Sequence, residues 1–426
     1  MRLSSRSKVE EVSIHPKTKS IKTFNDPIYG FITVDEPLIF NIIEHPHFQR
    51  LRRITQLGLT NLVYGGANHN RFQHAIGAMN LMRSAIQTLR TKGIVISEEE
   101  EVAAKAAILL HDIGHGPYSH ALENTIVQGV NHESIGLKIM QNLNNEMNGQ
   151  LDLAIKIYTD KYPVRFLHQL VSSQLDTDRL DYLKRDSFFT GVSEGVIGSE
   201  RIIKMLTVHD GSLAVEAKGI YSLEKFLVAR RLMYWQVYLH KTVVSAEFLL
   251  MHILLRAKEL AAKGIQLDAS DSLRFFLYRN GLFSSAETTD WLKHFVKLDD
   301  FDILYSIKQW IDSDDAMLGE MCKRLINRKL LKVKVLDRSL SDDEMQKLLR
   351  KGAKITGHSL EEMHYLIFQK TLSNTAYKLD HDRITILHKD GHANDISDAA
   401  SLFNFSGMDA KETKHFLYMP PEVPFH

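Results

Sequence analysis

The sequence contains a single cysteine, Cys322, among 426 residues. One thiol cannot form an internal disulfide, and a zinc site built on cysteine is excluded as well. Any metal chemistry must therefore use histidine and carboxylate side chains. The residues after Met1 are polar and lack the apolar stretch of a secretory signal. Together with the lone cysteine, this start predicts a cytoplasmic protein.

An excess of charge of one sign is also absent. Lysine plus arginine number 53 and aspartate plus glutamate number 52, so the formal net charge is +1. Chains that coat nucleic acid or an anionic membrane carry a clear basic excess. The balance therefore disfavours both kinds of partner, although it leaves room for a local basic groove. The longest apolar stretches, such as residues 106–110, are far shorter than the roughly 20 residues of a membrane span.

Histidine, by contrast, is abundant, with 21 copies in the chain. The hydrophobic share of 44% and the charged share of 25% are those of an ordinary globular protein. At about 150 residues per domain, the length predicts two to three domains, or one large domain with an appendage. The positions of the histidines are therefore the main indication of chemistry.

Apolar periodicity predicts helices in almost every segment from residue 37 to about 310. Ser97 with Glu100 three residues later predicts a capping box, and Asn131 predicts the start of another helix. In the last hundred residues, 331–336, 383–388 and 415–419 predict strands, while 342–351 and 360–370 predict helices. We therefore expect an N-terminal arm at residues 1–20, a mainly α body at 21–315, and a small α+β C-terminal region at 316–426.

The adjacent pair His111 and Asp112 is the most informative motif. An apolar helix runs into this pair and is expected to end at Gly114 and Gly116, where left-handed backbone costs little. Two more histidines follow in the same turn, His115 and His120. A His-Asp pair alone is common, but three histidines in ten residues beside a carboxylate are costly as mere core filling. Imidazole nitrogen and carboxylate oxygen suit Zn, Mn, Fe, Co or Ni without choosing among them.

Two other segments could complete a metal site. His74 lies near the start of an apolar helix, three residues after Arg71, which offers a bidentate phosphate donor. A lone histidine in that place is more often structural. Further along, polar side chains recur on one helical face, namely Asp178, Asp181, Tyr182, Arg185 and Asp186. A solvated face would explain these residues, but apolar residues on the other side and a tyrosine among aspartates favour a half-buried pocket.

The order of His74, the His111–Asp112 pair and Asp178 resembles the H…HD…D signature of the HD-domain metal-dependent phosphohydrolases. Segments 24–30, 48–58, 66–74, 111–120 and 178–186 are more closely similar to the deoxynucleoside triphosphate triphosphohydrolases, a branch that includes dGTPase-like bacterial proteins and the vertebrate SAM-and-HD-domain enzyme. The resemblance covers about residues 20–260. It implies an HD-domain helical bundle for residues 21–315 and a divalent ion (Mn, Fe, Mg, Zn, Co or Ni) held by His74, His111, Asp112 and Asp178.

The resemblance also implies roles for further side chains. The catalytic residues would be His115, His120, Glu123 and His132. The dNTP substrate would contact Gln56, Leu57, Arg71, Arg179, Tyr182, Asp186, Arg230 and Tyr238, with Arg230 and Tyr238 on one face of a single long helix. A nucleotide activator would contact Lys22, Asn25, Glu44, Gln49 and Arg52, although a solvated basic turn is the alternative for Arg50, Arg52 and Arg53. A homo-oligomer, either a dimer or a tetramer, is expected.

Two positions depart from the vertebrate pattern. Leu239 stands where the vertebrate enzyme has a glutamine near the base, so base preference is expected to differ. Glu44 replaces an aspartate that selects guanine at the vertebrate activator site. Both departures leave the implied metal ligands intact.

The expected reaction is attack on the α-phosphorus of a dNTP, which releases a deoxynucleoside and inorganic triphosphate. A metal held by two histidines and two aspartates would supply Lewis acidity, arginines would position the phosphate oxygens, and a histidine would protonate the departing 5′ oxygen. Two alternatives stay open. One is a different HD phosphohydrolase, such as a phosphodiesterase or nuclease acting on another nucleotide or on single-stranded nucleic acid. The other is a nucleotide-sensing scaffold without turnover.

Overall fold

The computed structural model describes residues 21–123, 125–279, 288–374, 383–399 and 412–425, so the predicted N-terminal arm lies outside the described residues. Helices dominate the described chain, and they are α1 (Pro37–Glu44), α2 (Pro46–Gln49), α3 (Arg71–Thr91), α4 (Glu98–Leu110), α5 (Ser119–Glu123), α6 (His132–Glu146), α7 (Asp152–Tyr158), α8 (Arg165–Val171), α9 (Thr177–Thr190), α10 (Ser199–Met205), α11 (Ile220–Met233), α12 (Lys241–Ala262), α13 (Asp271–Tyr278), α14 (Thr288–Phe295), α15 (Asp300–Trp310), α16 (Ala316–Ile326), α17 (Asp342–Thr356) and α18 (Ile396–Ala399). A π-helical turn, Tyr234–Tyr238, joins α11 to the start of α12.

The strands form small sheets at the edges of this helical body. They are β1 (Lys22–Asp26), β2 (Gly30–Val34), β3 (Leu206–His209), β4 (Ser212–Glu216), β5 (Lys332–Leu336), β6 (Phe368–Asn374), β7 (Thr385–Leu387), β8 (Ala393–Asp395) and β9 (Glu412–Met419). The sheet orders are β1-β2, β3-β4-β7-β8 and β5-β9-β6. The predicted mainly α body with a small α+β C-terminal region is therefore confirmed.

One sheet joins distant parts of the chain. Strand β4 pairs in parallel with β7, and Val215 lies opposite Ile386. The C-terminal region thus extends a sheet that begins as a hairpin within the body. A boundary at residue 315 accordingly stays a prediction.

Several local predictions meet a clear outcome. The capping box at Ser97 and Glu100 is confirmed, and Asn131 accepts a hydrogen bond from the backbone of Ser134 as a helix cap. The helix predicted for residues 360–370 is wrong, because a short 3₁₀ turn there gives way to β6. Pairing with β9 overrides the helical pattern, and Phe368 stacks on Tyr418 with ring centroids 4.7 Å apart.

The left-handed backbone that was expected at Gly114 and Gly116, after the His-Asp pair, is also wrong. Neither Gly114 nor Gly116 has a positive φ. A Cβ at Gly114 would instead lie 2.0 Å from the carbonyl oxygen of His132 and 2.3 Å from the nitrogen of Gly136. Gly114 is therefore required because the turn after α4 touches the backbone of α6. This contact brings His132 close to the His-Asp pair.

Three packed helices, α3, α4 and α9, support the candidate site. Small buried side chains on α4, including Ala103, Ala104 and Ala107, allow close approach. Helices α3 and α9 also approach closely, since a Cβ at Gly77 would lie 2.1 Å from Asp181 Oδ1. Small residues on α3 and α4 thus let the three helices approach closely enough for their polar side chains to come into contact.

Among the described residues, no single helix is both long enough and apolar enough to cross a membrane. Only the bent pair made of Ala217–Tyr238 and Lys241–Ala262 meets that criterion, by length and composition alone. In this structure α12 packs into the core through residues such as Leu249, Leu250 and Ile253.

Candidate metal centre and adjoining cavity

Three helices bring the four predicted metal ligands together. His74 comes from the first turn of α3, His111 and Asp112 follow the end of α4, and Asp178 lies in the first turn of α9. His74 Nε2 lies 3.4 Å from His111 Nε2 and 3.0 Å from Asp178 Oδ1. His111 Nε2 lies 3.2 Å from Asp112 Oδ1. One ligand atom from each of His74, His111 and Asp112 lies within 4.8 Å of the others, which is a spacing that one ion can bridge.

The electrostatics of this cluster favour a cation. Burial alone would lower the pKa of His74, but hydrogen bonds to Asp178 and Asp181 raise it to about 10. Burial alone would raise the pKa of Asp178, but hydrogen bonds from His111 and His74 hold it far below the usual range. The carboxylates therefore stay ionised and attract positive charge. Two imidazoles and two carboxylates fit a divalent ion such as Mn, Fe, Zn, Co or Ni.

A buried ion-pair chain holds His74 in place. Its Nδ1 lies 2.8 Å from Asp181 Oδ2, which leaves Nε2 facing the cluster. Arg185 donates to both oxygens of Asp181, at 2.8 and 3.0 Å, and to Asp26 at 2.8 Å. The side chains of His74, Asp181 and Arg185 are fully buried. A carboxylate behind a histidine ligand fixes the ring tautomer and orientation.

Arg50 organises the backbone that follows the His-Asp pair. Its guanidinium donates to the carbonyl oxygens of Ile113 and His115, each at 2.9 Å, and to that of Leu298 at 3.1 Å. The residue is fully buried, so a solvated basic turn is wrong for this position. Arg50 therefore fixes the loop that carries His115.

A second polar cluster lies beside the first. The ring of His115 stacks on that of His132, with centroids 4.1 Å apart, and His115 Nε2 lies 3.3 Å from Asp112 Oδ1. His132 Nδ1 contacts Glu123 Oε1 at 3.1 Å, and this hydrogen bond raises the pKa of His132. Burial and the charge of Arg71 lower the pKa of His115 to about 3. His120 lies on α5, but its side chain is outside the described part of the structure.

A cavity of about 470 Å³ opens beside Asp178, one of the predicted metal ligands. Seven of the eight predicted substrate residues line it, namely Gln56, Leu57, Arg71, Arg179, Tyr182, Asp186 and Tyr238. The remaining lining includes Tyr118, Ser119, Tyr234, Leu239, Glu247 and Leu250. Polar and apolar side chains thus line one space of the size that small ligands occupy.

Three arginines near this cavity have buried nitrogens without a hydrogen-bond partner among the described residues. These atoms are Nε of Arg71, Nε of Arg179, and both Nε and Nη1 of Arg230. Arg71 also donates to Asp112 Oδ2 at 2.5 Å, and Arg179 pairs with Asp176. Buried donors without acceptors are costly unless a ligand satisfies them. Their combined positive charge suits an anionic ligand with several oxygens.

Arg230 differs from the prediction in one respect. It does not belong to the cavity lining, although its charge influences the neighbouring Tyr182. Arg230 and Tyr238 also do not share one regular helix, because the π-helical turn lies between them. Such turns shift the face that a helix presents and occur often at functional sites. Here the turn places both Tyr234 and Tyr238 on the cavity wall.

Two of the predicted activator residues, Lys22 and Arg52, lie over aromatic rings, and of these rings Phe24 is half-buried and Phe72 is buried. Lys22 pairs with Glu44 and lies 5.5 Å above the ring of Phe24. Arg52 lies 3.5 Å above the ring of Phe72, and Phe24 and Phe72 are 5.9 Å apart. Gln49 accepts a hydrogen bond from Arg52 at 2.9 Å, and Asn25 lies in β1 opposite Phe31.

Sequence reasoning missed several residues of the site. Asp181 and Arg50 were not given their positioning roles, and His69, which contacts Asp186 at 2.8 Å, was not named. Tyr118 and Glu247 were also missed as lining residues. For Glu247 a signal existed, since an acidic residue interrupts an otherwise apolar helix.

Comparisons with known proteins agree on the superfamily. The HD domain family matches residues 71–183, and the family described as HD associated region matches residues 197–272. The chain is 31% identical to the Bacillus subtilis protein YwfO over 422 residues, covering 96% of this chain and 94% of YwfO. A crystal structure of a phosphohydrolase from Bacteroides thetaiotaomicron is 50% identical, with a TM-score of 0.91, and the match covers 94% of this chain and 99% of the other.

A more distant relative carries a more specific name. The deoxynucleoside triphosphate triphosphohydrolase SAMHD1 homolog of Dictyostelium discoideum is 29% identical over 290 residues, which are 64% of this chain and 56% of that protein. The similarity thus spans about half of that longer relative.

Proposed function

Because this chain belongs to the HD-domain family of metal-dependent phosphohydrolases, we propose that it hydrolyses deoxynucleoside triphosphates to deoxynucleoside and inorganic triphosphate. The observation that carries the proposal is the position of the metal cluster. It opens onto a cavity whose wall holds Arg71 and Arg179 beside Asp178, with tyrosines and leucines further along. A triphosphate needs the cationic wall, and a nucleoside needs the aromatic and apolar one.

Each part of the site has a role in this reaction. His74, His111, Asp112 and Asp178 would hold a divalent ion, which would supply Lewis acidity and lower the pKa of a bound water. Arg71 and Arg179 would bind phosphate oxygens from the cavity wall, and we propose that Arg230, which lies outside the lining beside Tyr182, turns its buried nitrogens toward the same phosphates when a ligand binds.

The second polar cluster, which contains His115, Glu123 and His132, would transfer a proton to the departing 5′ oxygen. Glu123 holds His132 by its Nδ1, and the raised pKa of His132 keeps a proton available on the ring. His120 lies on α5, just after the turn that carries His115, and belongs to this group in the proposal. His115, whose pKa is lowered by burial and by the charge of Arg71, is proposed to contact a phosphate oxygen beside the stacked His132.

The sugar would lie against Tyr238, Asp186 and Gln56. Tyr238 donates to Asp186 Oδ2 at 2.6 Å, and His69 fixes the other oxygen of that carboxylate at 2.8 Å. This rigid group leaves little room for a 2′-hydroxyl beside a bound deoxyribose. We therefore expect ribonucleotides to be poor substrates.

Regulation belongs to the same proposal. The half-buried ring of Phe24 lies beside Lys22, and Arg52 covers the buried ring of Phe72 next to it, so a nucleotide base would stack on Phe24 near two cationic groups. Lys22 already neutralises Glu44, so a nucleotide activator would have to compete with that ion pair. We propose a cytoplasmic homo-oligomer, a dimer or a tetramer, in which these residues bind the activator.

The test is product analysis with all four dNTPs, singly and mixed, in Mn, Mg, Fe and Co. Inorganic triphosphate is the expected product, and alanine replacement of both His111 and Asp112 should abolish it. Release of nucleoside monophosphate instead would favour a phosphodiesterase or nuclease. Binding of dNTPs without any product would favour a nucleotide-sensing scaffold.

A further inference from the structure

The start of α15 holds a buried carboxylate that does not line the cavity. Asp300 is 6% exposed, and α15 lies outside the residues 71–183 and 197–272 that the family matches cover. Its Oδ2 accepts two hydrogen bonds from Thr55, one from the backbone nitrogen and one from Oγ1, each at 2.8 Å. Its Oδ1 is buried and has no hydrogen-bond partner among the described residues. One oxygen of this carboxylate is thus bound, and the other can still accept a donor.

Capping of α15 does not explain Asp300. Asp299 is the N-cap residue of this helix, and it forms a capping box with Asp302. The helix dipole favours a carboxylate in the first turn, but an exposed one would serve equally well. Burial raises the pKa of Asp300 to about 6, although hydrogen bonds from Thr55 and the charge of Arg71 oppose the rise. A buried carboxylate oxygen without a donor is costly, which indicates that a donor reaches it in another state of the site.

Thr55 connects Asp300 to the wall of the cavity. Thr55 forms a β-bridge with Asn70, the residue that caps α3. The backbone nitrogen of Arg71, the first residue of α3, donates to the carbonyl oxygen of Ile54 at 3.0 Å. Thr55 and Arg71 both line the cavity, whereas Asp300 does not. Asp300 therefore supports, from outside the cavity, the wall that carries Arg71.

Arg71 has a donor that matches the free oxygen of Asp300. Nη1 of Arg71 donates to Asp112 Oδ2 at 2.5 Å, but Nε of Arg71 is buried and has no hydrogen-bond partner among the described residues. The charge of Arg71 lowers the pKa of Asp300 against the effect of burial, so the two side chains lie near each other. A guanidinium that is held at Nε by a carboxylate can present both Nη groups to phosphate oxygens.

We propose that Asp300 is a positioning residue for Arg71, and that Asp300 Oδ1 accepts a hydrogen bond from Arg71 Nε when a triphosphate is bound. This inference rests on the proposed function in taking Arg71 as a phosphate ligand. Through Thr55, the same carboxylate holds the cavity wall against the start of α3. Asp300 does not touch the reacting atoms, so its loss should weaken binding of the substrate and of the transition state alike.

The experiment measures binding of inorganic triphosphate by calorimetry in EDTA, where metal-dependent turnover is suppressed. Asp300→Asn is expected to raise the dissociation constant about 10- to 100-fold, the usual value of a hydrogen bond between charged groups. With dNTPs and metal, the same variant should raise KM by a similar factor and change kcat by less than about 3-fold, because only a uniform binding interaction is lost.

Asp302→Asn is the matched control, because it removes the capping box of the same helix without removing a contact to Thr55 or Arg71. Its dissociation constant should stay within about 3-fold of the wild type, even where its melting temperature falls. In an Arg71→Lys background, which has no Nε–H at that position, Asp300→Asn should cost less than about 3-fold. Thermal melting verifies folding. If Asp300→Asn does not fold, Thr55→Val removes one hydrogen bond to Asp300 and should raise the dissociation constant about 3- to 10-fold.

The inference is overturned if Asp300→Asn binds triphosphate within about 3-fold of the wild type, or if Asp302→Asn loses as much affinity. An undiminished loss in the Arg71→Lys background, or a wild type that does not bind triphosphate, also overturns it. If the variants behave as expected but the wild type releases no triphosphate from any dNTP, this inference stands and the proposed hydrolysis fails. If the wild type hydrolyses dNTPs and Asp300→Asn keeps the wild-type KM, the hydrolysis stands and this inference fails.

Discussion

The carboxylate behind His74 offers a demanding test of the metal centre. Asp181 is fully buried, contacts His74 Nδ1 at 2.8 Å, and receives two hydrogen bonds from Arg185. Burial alone would raise its pKa, but the charge of Arg185 and the bond to His74 hold it at about 2. Asp181→Asn keeps the shape and removes the charge. We expect metal affinity to fall by about 10- to 100-fold, as is typical for such positioning carboxylates.

The assay follows thermal stability against metal concentration. A metal at 100 times its Kd stabilises the folded state by about 2.7 kcal/mol. At the same concentration, a 10-fold weaker site would contribute about 1.4 kcal/mol, and a 100-fold weaker site about 0.4 kcal/mol. The metal-free variant should itself lose roughly 3 kcal/mol, because Arg185 keeps only Asp26 as an ionised partner.

Asp26→Asn is the matched control. Asp26 pairs with the same Arg185 and caps the turn at Ile28, yet it does not contact His74. This variant should lose folding stability while its metal affinity stays within about 3-fold of the wild type. Equal metal affinity in Asp181→Asn and the wild type would refute a positioning role for Asp181.

Three further outcomes follow from the packing and charge of the site. Gly77→Ala should destabilise the fold by about 1–3 kcal/mol and weaken metal binding, because the added Cβ would lie 2.1 Å from Asp181 Oδ1. The control Gly65→Ala has open space around the added Cβ and should change neither the stability nor the metal affinity. The pKa of Glu247 is about 7 in the folded protein, above its ordinary value of 4.5, so the wild type loses stability as pH rises from about 4.5 to 7. Glu247→Gln does not titrate and should therefore become more stable than the wild type over this range, by at most roughly 3 kcal/mol. Melting curves at pH 5 and pH 8 measure the difference. Arg230→Met should raise the KM for dNTPs about 10-fold or more without lowering the melting temperature of the ligand-free protein, because two of its buried nitrogens lack hydrogen-bond partners among the described residues. A large stability loss with an unchanged KM would contradict this.

The four residues of the candidate metal cluster could be named from the sequence because their order along the chain resembles a family signature. His74, His111, Asp112 and Asp178 do meet in space. The positioning residues could not be predicted in the same way. Arg50 reaches Leu298, which is 248 residues away, and a contact of that range leaves no local pattern.

Other features had signals that were not used. The β3–β4 hairpin turns at Asp210 and Gly211, both with positive φ, and Asp-Gly between apolar runs is a strong hairpin signal. The strand at Phe368 could not be recognised locally, because its residues fit a helical pattern and only the pairing with β9 selects the extended form. Glu247 stands out in the sequence as an acidic residue in a mostly apolar helix, but the direction in which its side chain points depends on how α12 packs.

Hydrolysis of a dNTP in water enriched in oxygen-18 tests the central claim most directly, with the metal-loaded wild type and mass spectrometry of both products. Attack on the α-phosphorus predicts inorganic triphosphate that carries one labelled oxygen and a deoxynucleoside that carries none. Label in the deoxynucleoside, release of a monophosphate, or recovery of intact dNTP under every metal tested would contradict it.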